Sequence, residues 1–225
     1  MGNIQSYIKD YINIGICYCL ENNKPEKQLG LLQINENNLT IDLNNPKTYN
    51  FSKSSIKEDS ILYSDELVNS VEDIFFEITD YYPKVFHFLR KIENIDENIM
   101  IRSFIPMLNK NITFERSEGK SKDFFITTYD NLFMLKTINN NDKDFILNNF
   151  FKKYSSYLPY NNDSLLCRIY GIYKIRFSGI LLKNEINFVI IRNLTGLFNP
   201  ENIFVKYDLK GSIHNRKINL DYETL

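Results

Sequence analysis

The chain has 225 residues, of which 43% are hydrophobic and 24% are charged, so it is long enough to form a folded domain with a sizeable core. Its formal net charge of −1 argues against a protein that binds polyanions over its whole surface, and we expect no nucleic acid among its partners. Three cysteines are an odd and sparse set for a disulfide framework, which predicts reduced thiols and a cytoplasmic protein.

The first predicted element is "IKDYINIGICYCL", residues 8–20, whose apolar run fits a buried strand or a short helix. The polar residues 21–60 predict irregular surface segments, so we divide the chain into an N-terminal region, 1–60, and a folded domain, 61–225. The opening "MGNIQS" fits the N-myristoylation pattern at Gly2, which predicts a peripheral position at the cytosolic face of a membrane. The sequence has no run of about 20 uninterrupted apolar residues, so we expect no spanning helix.

Two helices are predicted around a proline. The first is indicated by apolar residues at helical spacing, namely Leu67, Val71, Ile74, Phe75 and Ile78. Pro83 predicts the first turn of the second helix, whose apolar side consists of Val85, Phe86, Phe88 and Leu89. His87 has no cysteine or second histidine nearby, so we interpret it as a surface or packing residue.

The second half of the sequence alternates β-rich runs with one helix. "GKSKDFFITTYDNLFMLKTI" (119–138) predicts a hairpin with the turn signal "YDN" and a small, glycine-containing entrance. "KDFILNNFFKKYSSYL" (143–158) predicts a helix, with one apolar face formed by Leu147, Phe150, Phe151, Tyr154 and Leu158. A second hairpin follows in "IYGIYKIRFSGILL" and "EINFVIIRNL", and "IFVKYDLKG" predicts a last strand. This order predicts an α+β fold, an antiparallel sheet with flanking helices.

One lysine on a predicted strand indicates a phosphate-binding function for this arrangement of elements. A small-residue turn, a lysine on the next strand (Lys136 in "FMLKT") and then a helix form the ground plan of a kinase nucleotide lobe. In that plan backbone N–H groups of the turn approach phosphates, the lysine contacts the α- and β-phosphates, and a carboxylate on the helix holds the lysine. The pattern alone also fits a lysine on a solvated sheet face.

The segment "KYDLKGSIHNRK", residues 206–217, adds a second cationic feature. Its cations outnumber Asp208 by three and are Lys206, Lys210, Arg216 and Lys217. Gly211 allows close backbone approach, and arginine can hold a phosphate through two parallel hydrogen bonds. The segment therefore predicts phosphate recognition, with Lys206 and Lys217 as solvated charges attracted to an anionic membrane surface.

These motifs resemble the phosphatidylinositol phosphate kinases. The resemblance lies in "KYDLKGS" with Arg216 behind it, in "GKSKDFFITTYDNLFMLKT", and in "SLLCRIYGIYKIRF", "FVIIRNL" and "DYYPKVFHFLRK". It spans about residues 8–217 and implies the N-terminal lobe of that kinase fold. The implied activity is phosphorylation of a phosphoinositide head group with ATP and Mg²⁺, with phosphatidylinositol-4-phosphate 5-kinase as the first expectation.

The resemblance also assigns roles to residues. It makes Lys136 the phosphate-binding lysine and implies three further groups: a phosphate loop that begins at Gly119, Lys120 and Ser121, a hinge at Ile191, Arg192 and Asn193, and a substrate-phosphate segment with Asp208, Lys210 and Arg216. For Asp208, a structural role that orients Arg216 or Lys210 and a catalytic role both stay open.

The sequence also departs from the family pattern. Lys122 stands where a second glycine is usual, and Asp144 stands where the glutamate partner of Lys136 is expected, with Asp142 as a substitute. In kinases the catalytic aspartate and the Mg²⁺ ligands lie in a second lobe, so we predict no metal ligand here and no activity for the 225 residues alone.

A nucleotide lobe without its second lobe allows an alternative function, that of a non-catalytic half-lobe that binds a phosphoinositide or a protein. An uncovered cleft with exposed Ile190 and Leu194 predicts self-association, a homodimer included.

Overall fold

The computed structural model describes residues 2–23, 46–52, 75–105, 115–116, 123–178, 185–198 and 200–205. These residues contain seven strands, namely β1 (Lys47–Phe51), β2 (Phe75–Tyr81), β3 (Glu115–Arg116), β4 (Phe124–Thr127), β5 (Phe133–Ile138), β6 (Ile169–Ser178) and β7 (Glu185–Arg192). They form one sheet in the order β1-β2-β6-β7-β5-β4-β3, and every neighbouring pair is antiparallel. The predicted α+β class is confirmed.

Helices cover both faces of this sheet. They are α1 (Gly2–Asn22), α2 (Pro83–Ile92), α3 (Glu97–Phe104), α4 (Asn140–Phe145) and α5 (Phe151–Tyr157). A π-helical turn, Ile146–Phe150, joins α4 to α5, and short 3₁₀ turns lie at Leu158–Tyr160, Thr195–Leu197 and Pro200–Asn202. None of the helices in the described part of the chain is both long and apolar enough to span a bilayer.

Helix α1 settles the open choice for residues 8–20 in favour of a helix. Together with α3 it covers one face of the sheet and buries an apolar cluster that includes Tyr11, Ile14, Cys17, Met100, Phe104, Phe133 and Phe188. Gly15 lets α1 approach the sheet closely, because a Cβ atom there would lie 2.7 Å from Ile78 Cδ1. The boundary predicted between residues 60 and 61 stays a prediction, although α1 and β1 pack with the elements that follow them.

The N-terminal strands correct two expectations. Residues 47–51 were expected to be irregular, but they pair with β2 along their whole length. The helix predicted through Phe75 and Ile78 is wrong there, because residues 75–81 form β2. Phe76, Ile78 and Asp80 are buried at every second position, and this two-residue period decides the element. Residues 67–74 of that predicted helix lie outside the described residues.

The opposite face of the sheet is covered by α2 and α5. Their shared apolar cluster consists of Phe86, Leu89, Ile138, Phe151, Tyr154, Leu158, Ile172 and Val189. Helix α2 begins at Pro83, as predicted. The helix predicted over 143–158 is confirmed as the α4–α5 segment, interrupted by its π-helical turn.

Both predicted hairpins are present. In the β4–β5 turn, Asp130 Oδ1 accepts hydrogen bonds from Thr128 Oγ1 at 2.7 Å and from the Leu132 backbone N–H at 3.1 Å. Asn131 adopts a left-handed backbone with φ 60°, which asparagine tolerates in turns. The last predicted strand is absent at residues 203–205, which have no regular structure, and 206–211 lie outside the described residues.

Candidate functional site

Lys136 lies on a central part of the sheet, on the face that carries α2 and α5. It stands opposite Phe125 of β4 and Val189 of β7, and directly opposed residues in antiparallel strands share a face. Val189 belongs to the apolar cluster on this face. The Lys136 side chain is 35% exposed, so its ammonium group is accessible to a ligand.

The ammonium group of Lys136 has a carboxylate beside it. Lys136 Nζ lies 3.6 Å from Asp123 Oδ2, and the Asp123 side chain is only 14% exposed. Lys136 Nζ is also 5.9 Å from the centroid of the Phe125 ring, a distance that allows a cation–π interaction. The Phe124 backbone N–H donates to Thr137 Oγ1 at 2.8 Å, which fixes the start of β4 against β5 and so fixes Asp123.

The helix carboxylates expected to hold Lys136 bind elsewhere. Asp142 lies in the first turn of α4 and binds the N-cap residue Asn139: its backbone N–H donates to Asn139 Oδ1 and its Oδ2 accepts from Asn139 Nδ2, each at 2.8 Å. Asp144 is 61% exposed and its Oδ1 lies 3.5 Å from Lys143 Nζ. Neither Asp144, at the place of the family's glutamate, nor its substitute Asp142 is seen to pair with Lys136, and within the described residues the carboxylate beside Lys136 is Asp123. No local sequence pattern favours Asp123 over the carboxylates of α4, because its position depends on the register of β4 against β5, in which Phe125 lies opposite Lys136.

The three residues predicted to form the hinge make different contacts in the structure. Ile191 stands opposite Met134 and packs against the cluster on the Lys136 face. Asn193 is buried, its backbone N–H donates to the Leu132 carbonyl at 3.0 Å, and its Oδ1 accepts from Thr195 Oγ1 at 2.8 Å. Asn193 therefore fixes the chain after β7 to the β4–β5 turn.

Arg192 points to the other face, where it joins a cluster around Glu93. Glu93 Oε2 accepts a hydrogen bond from the Tyr170 hydroxyl at 2.6 Å and lies 3.4 Å from an Arg192 guanidinium nitrogen. Glu93 Oε1 lies 2.7 Å from Arg168 Nε. Burial, followed by the hydrogen bond to Glu93, raises the pKa of Tyr170, so this hydroxyl remains a donor. The cluster connects the end of α2 to the end of β7, and its members are too far apart in sequence for a local pattern to reveal it.

Close backbone packing also holds the segment after β7. A Cβ atom on Gly196 would overlap the backbone carbonyl of Asn131, so glycine is required for this approach. Ile190, expected to be exposed, is fully buried because it points into the α1–α3 face, whereas Leu194 is exposed as predicted.

Several predicted residues cannot be placed. Those of the phosphate loop and of the substrate-phosphate segment lie outside the described residues: Gly119, Lys120, Ser121, Asp208, Lys210 and Arg216. In the described ranges, no group of three or more His, Cys, Asp or Glu side chains is arranged to hold a metal ion.

Comparison with known protein families decides the relationship. The family model described as phosphatidylinositol-4-phosphate 5-kinase matches residues 107–224, which is more than half of the chain. The chain belongs to the phosphatidylinositol phosphate kinase family. The matched range contains every residue predicted for the phosphate loop, the hinge and the substrate-phosphate segment, and it contains the Lys136–Asp123 pair.

Relatives in this lipid kinase family carry two substrate names. Phosphatidylinositol 5-phosphate 4-kinase type-2 alpha of Gallus gallus is 31% identical over 164 residues, which are 71% of this chain and 36% of that protein. A phosphatidylinositol 4-phosphate 5-kinase of Schizosaccharomyces pombe is 30% identical over 145 residues, or 64% and 18% of the two chains. Phosphatidylinositol 4-phosphate 5-kinase 4 of Arabidopsis thaliana is 31% identical over 137 residues, or 61% and 17%. The chain thus spans little more than a third of the first relative and less than a fifth of the other two.

Proposed function

We propose that these residues form the nucleotide-binding lobe of a phosphatidylinositol phosphate kinase that phosphorylates a phosphoinositide head group with ATP and Mg²⁺. The observation that carries the proposal is the position of Lys136, a partly exposed cation on the sheet face beside the strand that leads into the hinge. A lysine placed in this way is the phosphate ligand of kinase nucleotide lobes.

The residues around Lys136 suit a nucleotide. Met134, Val189 and Ile191 share its face, so an apolar surface suited to a flat base adjoins a cation suited to phosphates. ATP would supply the transferred phosphoryl group, and the task of Lys136 is to bind and orient the phosphates. We propose that the Mg²⁺ ligands and the catalytic aspartate belong to a second lobe, as the family resemblance implies.

Replacing Lys136 with alanine should weaken ATP binding at least tenfold, because a charge-assisted hydrogen bond to phosphate contributes roughly 1.5–3 kcal/mol. The matched control is Lys174→Ala, which removes a strand lysine from β6, two strands away from β5. Isothermal titration calorimetry with the 225-residue chain measures both affinities. Equal ATP affinity in the wild-type chain and Lys136→Ala would refute the assignment of Lys136.

We further propose phosphatidylinositol 4-phosphate as the lipid substrate, following the description of the matched family model. The 225 residues alone are expected to transfer no phosphate, because the catalytic acids are assigned to the second lobe. The check is a phosphorylation assay with phosphatidylinositol 4-phosphate and, separately, phosphatidylinositol 5-phosphate. Activity of the wild-type chain that disappears in Lys136→Ala would contradict this expectation, and the product would identify the preferred lipid.

A second candidate function is a non-catalytic half-lobe that binds phosphoinositides or a protein. It is favoured by the absence, within the described residues, of any pairing between Lys136 and the carboxylates of α4. Vesicle binding that depends on a phosphoinositide, combined with undetectable ATP binding in the wild-type chain and its variants, would select this function.

The site of action and the partners are proposed from the sequence. Lys210 and Arg216 would contact lipid phosphates, and myristoylation of Gly2 together with these cations would hold the protein at an anionic, cytosolic membrane surface. A homodimer is supported by exposed apolar side chains near the hinge and beyond it, namely Leu194, Leu197, Phe198, Phe204 and Val205.

A further inference from the structure

Asp123 occupies an unusual position for a site that is expected to bind an anion. Its carboxylate approaches the ammonium group of Lys136 to 3.6 Å, and the side chain is shielded from water on most sides. An incoming phosphate must therefore share Lys136 with an anion that is already part of the protein.

The geometry makes Asp123 a poor substitute for a helix carboxylate. A helix partner reaches the strand lysine from α4, whereas Asp123 comes from the first residue before β4, directly after the predicted phosphate loop in sequence. The hydrogen bond from the Phe124 N–H to Thr137 Oγ1 keeps this end of the hairpin closed. The carboxylate thus comes from the residue that follows the predicted phosphate loop in the chain, and it lies beside the ammonium group to which the nucleotide phosphates are proposed to bind.

We propose that Asp123 is an internal competitor of the nucleotide phosphates for Lys136 and thereby sets the affinity of this lobe for ATP. This inference rests on the proposed nucleotide-binding function. Two like charges about 5 Å apart, at an effective dielectric constant between that of a protein surface and that of water, repel each other strongly enough to change an affinity on the order of tenfold. Because the effect is Coulombic, salt should reduce it.

The test compares Asp123→Asn with the wild-type chain in calorimetric titrations with ATP, inorganic tripolyphosphate and adenosine. Asp123→Asn should bind ATP and tripolyphosphate about tenfold more tightly. This ratio should shrink at about 0.5 M salt, where charges are screened over roughly 4 Å. Adenosine affinity should not change, because adenosine carries no phosphate. In the Lys136→Ala background, Asp123→Asn should give a smaller gain, because only the repulsion remains and no ammonium group is set free.

The control for charge alone is Glu77→Gln, which removes one negative charge from β2, three strands away from β5. It should leave all three affinities unchanged. Weaker ATP binding in Asp123→Asn would overturn the proposal and make Asp123 a positioning residue that holds Lys136 for phosphate. An equal gain for adenosine, or an equal gain in Glu77→Gln, would also overturn it.

The outcomes separate this inference from the function on which it rests. If wild-type and Asp123→Asn chains bind ATP equally, and Lys136→Ala weakens both, the nucleotide lobe stands and competition by Asp123 is wrong. If neither chain binds ATP in a manner that depends on Lys136, both proposals are wrong.

Discussion

Replacing Glu97 with glutamine is expected to lower the free energy of unfolding by about 3 kcal/mol, because it leaves a buried guanidinium without its carboxylate. Arg90 and Glu97 are only 4% and 8% exposed at their side chains, and Arg90 Nη2 lies 2.8 Å from Glu97 Oε1. Arg90 Nη1 donates to the Tyr170 carbonyl at 2.7 Å, so the same guanidinium connects α2 and α3 to the sheet.

The pH dependence of this effect has a definite sign. Burial acts to raise the pKa of Glu97, but the hydrogen bonds with His87 and Arg90 outweigh it and hold the pKa at about 2. Because this value is below the ordinary 4.5, Glu97 contributes its stability above pH 4.5 and loses it as the pH falls through 2. The difference between the wild-type chain and Glu97→Gln should therefore fall by about half between pH 7 and pH 3.

Urea unfolding of both chains at these two pH values measures the effect. The matched control is Asp96→Asn at the neighbouring N-cap of α3, where asparagine caps about as well as aspartate. Equal losses in the free energy of unfolding of the two variants at pH 7 would contradict the large contribution expected from the Arg90–Glu97 pair.

Replacing Asp80 with asparagine should do the opposite and stabilise the chain at neutral and alkaline pH. Asp80 is 3% exposed, and burial raises its pKa to about 7 despite the opposing charge of Arg90 and the hydrogen bond from Asn23. Asparagine keeps a carbonyl oxygen that can accept from Asn23 Nδ2, which donates to Asp80 at 2.7 Å, but it carries no charge. The gain should be on the order of 2–4 kcal/mol at pH 8.

The sign of this pH dependence follows from a raised pKa in an acid. The folded chain binds the Asp80 proton more tightly than the unfolded chain, so stability decreases as the pH rises from the ordinary pKa of 3.8 to about 7. The advantage of Asp80→Asn should thus grow by about 2 kcal/mol between pH 5 and pH 8. Thermal or urea unfolding across this range provides the measurement. Asp163→Asn, in an exposed turn, is the control, and an advantage that does not depend on pH would contradict the ionisation of Asp80.

The sequence predicted well the elements whose burial follows one clear period. The α4–α5 segment and both hairpins have long apolar patterns, and the β4–β5 turn has the aspartate and asparagine that such turns favour. Strand β2 was misread because Ile74, Phe75 and Ile78 happen to fit helical spacing, while the alternation that decides the strand depends on a buried acid, Asp80. Because acidic residues are usually exposed, a buried carboxylate makes a core position look solvent-exposed in the sequence.

The site was predictable only where its chemistry lies within one local segment. Lys136 could be recognised from the strand and turn around it, and the position of Ile191 followed from the hinge strand. The carboxylate partner of Lys136 could not be chosen, because Asp123, Asp142 and Asp144 are all close in sequence. The choice depends on side-chain direction at the start of β4 and on capping of α4 by Asn139. The Glu93 cluster depends on the tertiary fold alone.

The π-helical turn at Ile146–Phe150 makes the electrostatics of this lobe sensitive to the length of one helix. Each residue advances an α-helix by about 100° and 1.5 Å. Since α5 is anchored in the core through Phe151 and Tyr154, a one-residue deletion in this turn rotates α4, with its acidic residues, relative to that anchor. Insertions and deletions in this turn, and not only substitutions, would therefore change the distance between the carboxylates of α4 and Lys136.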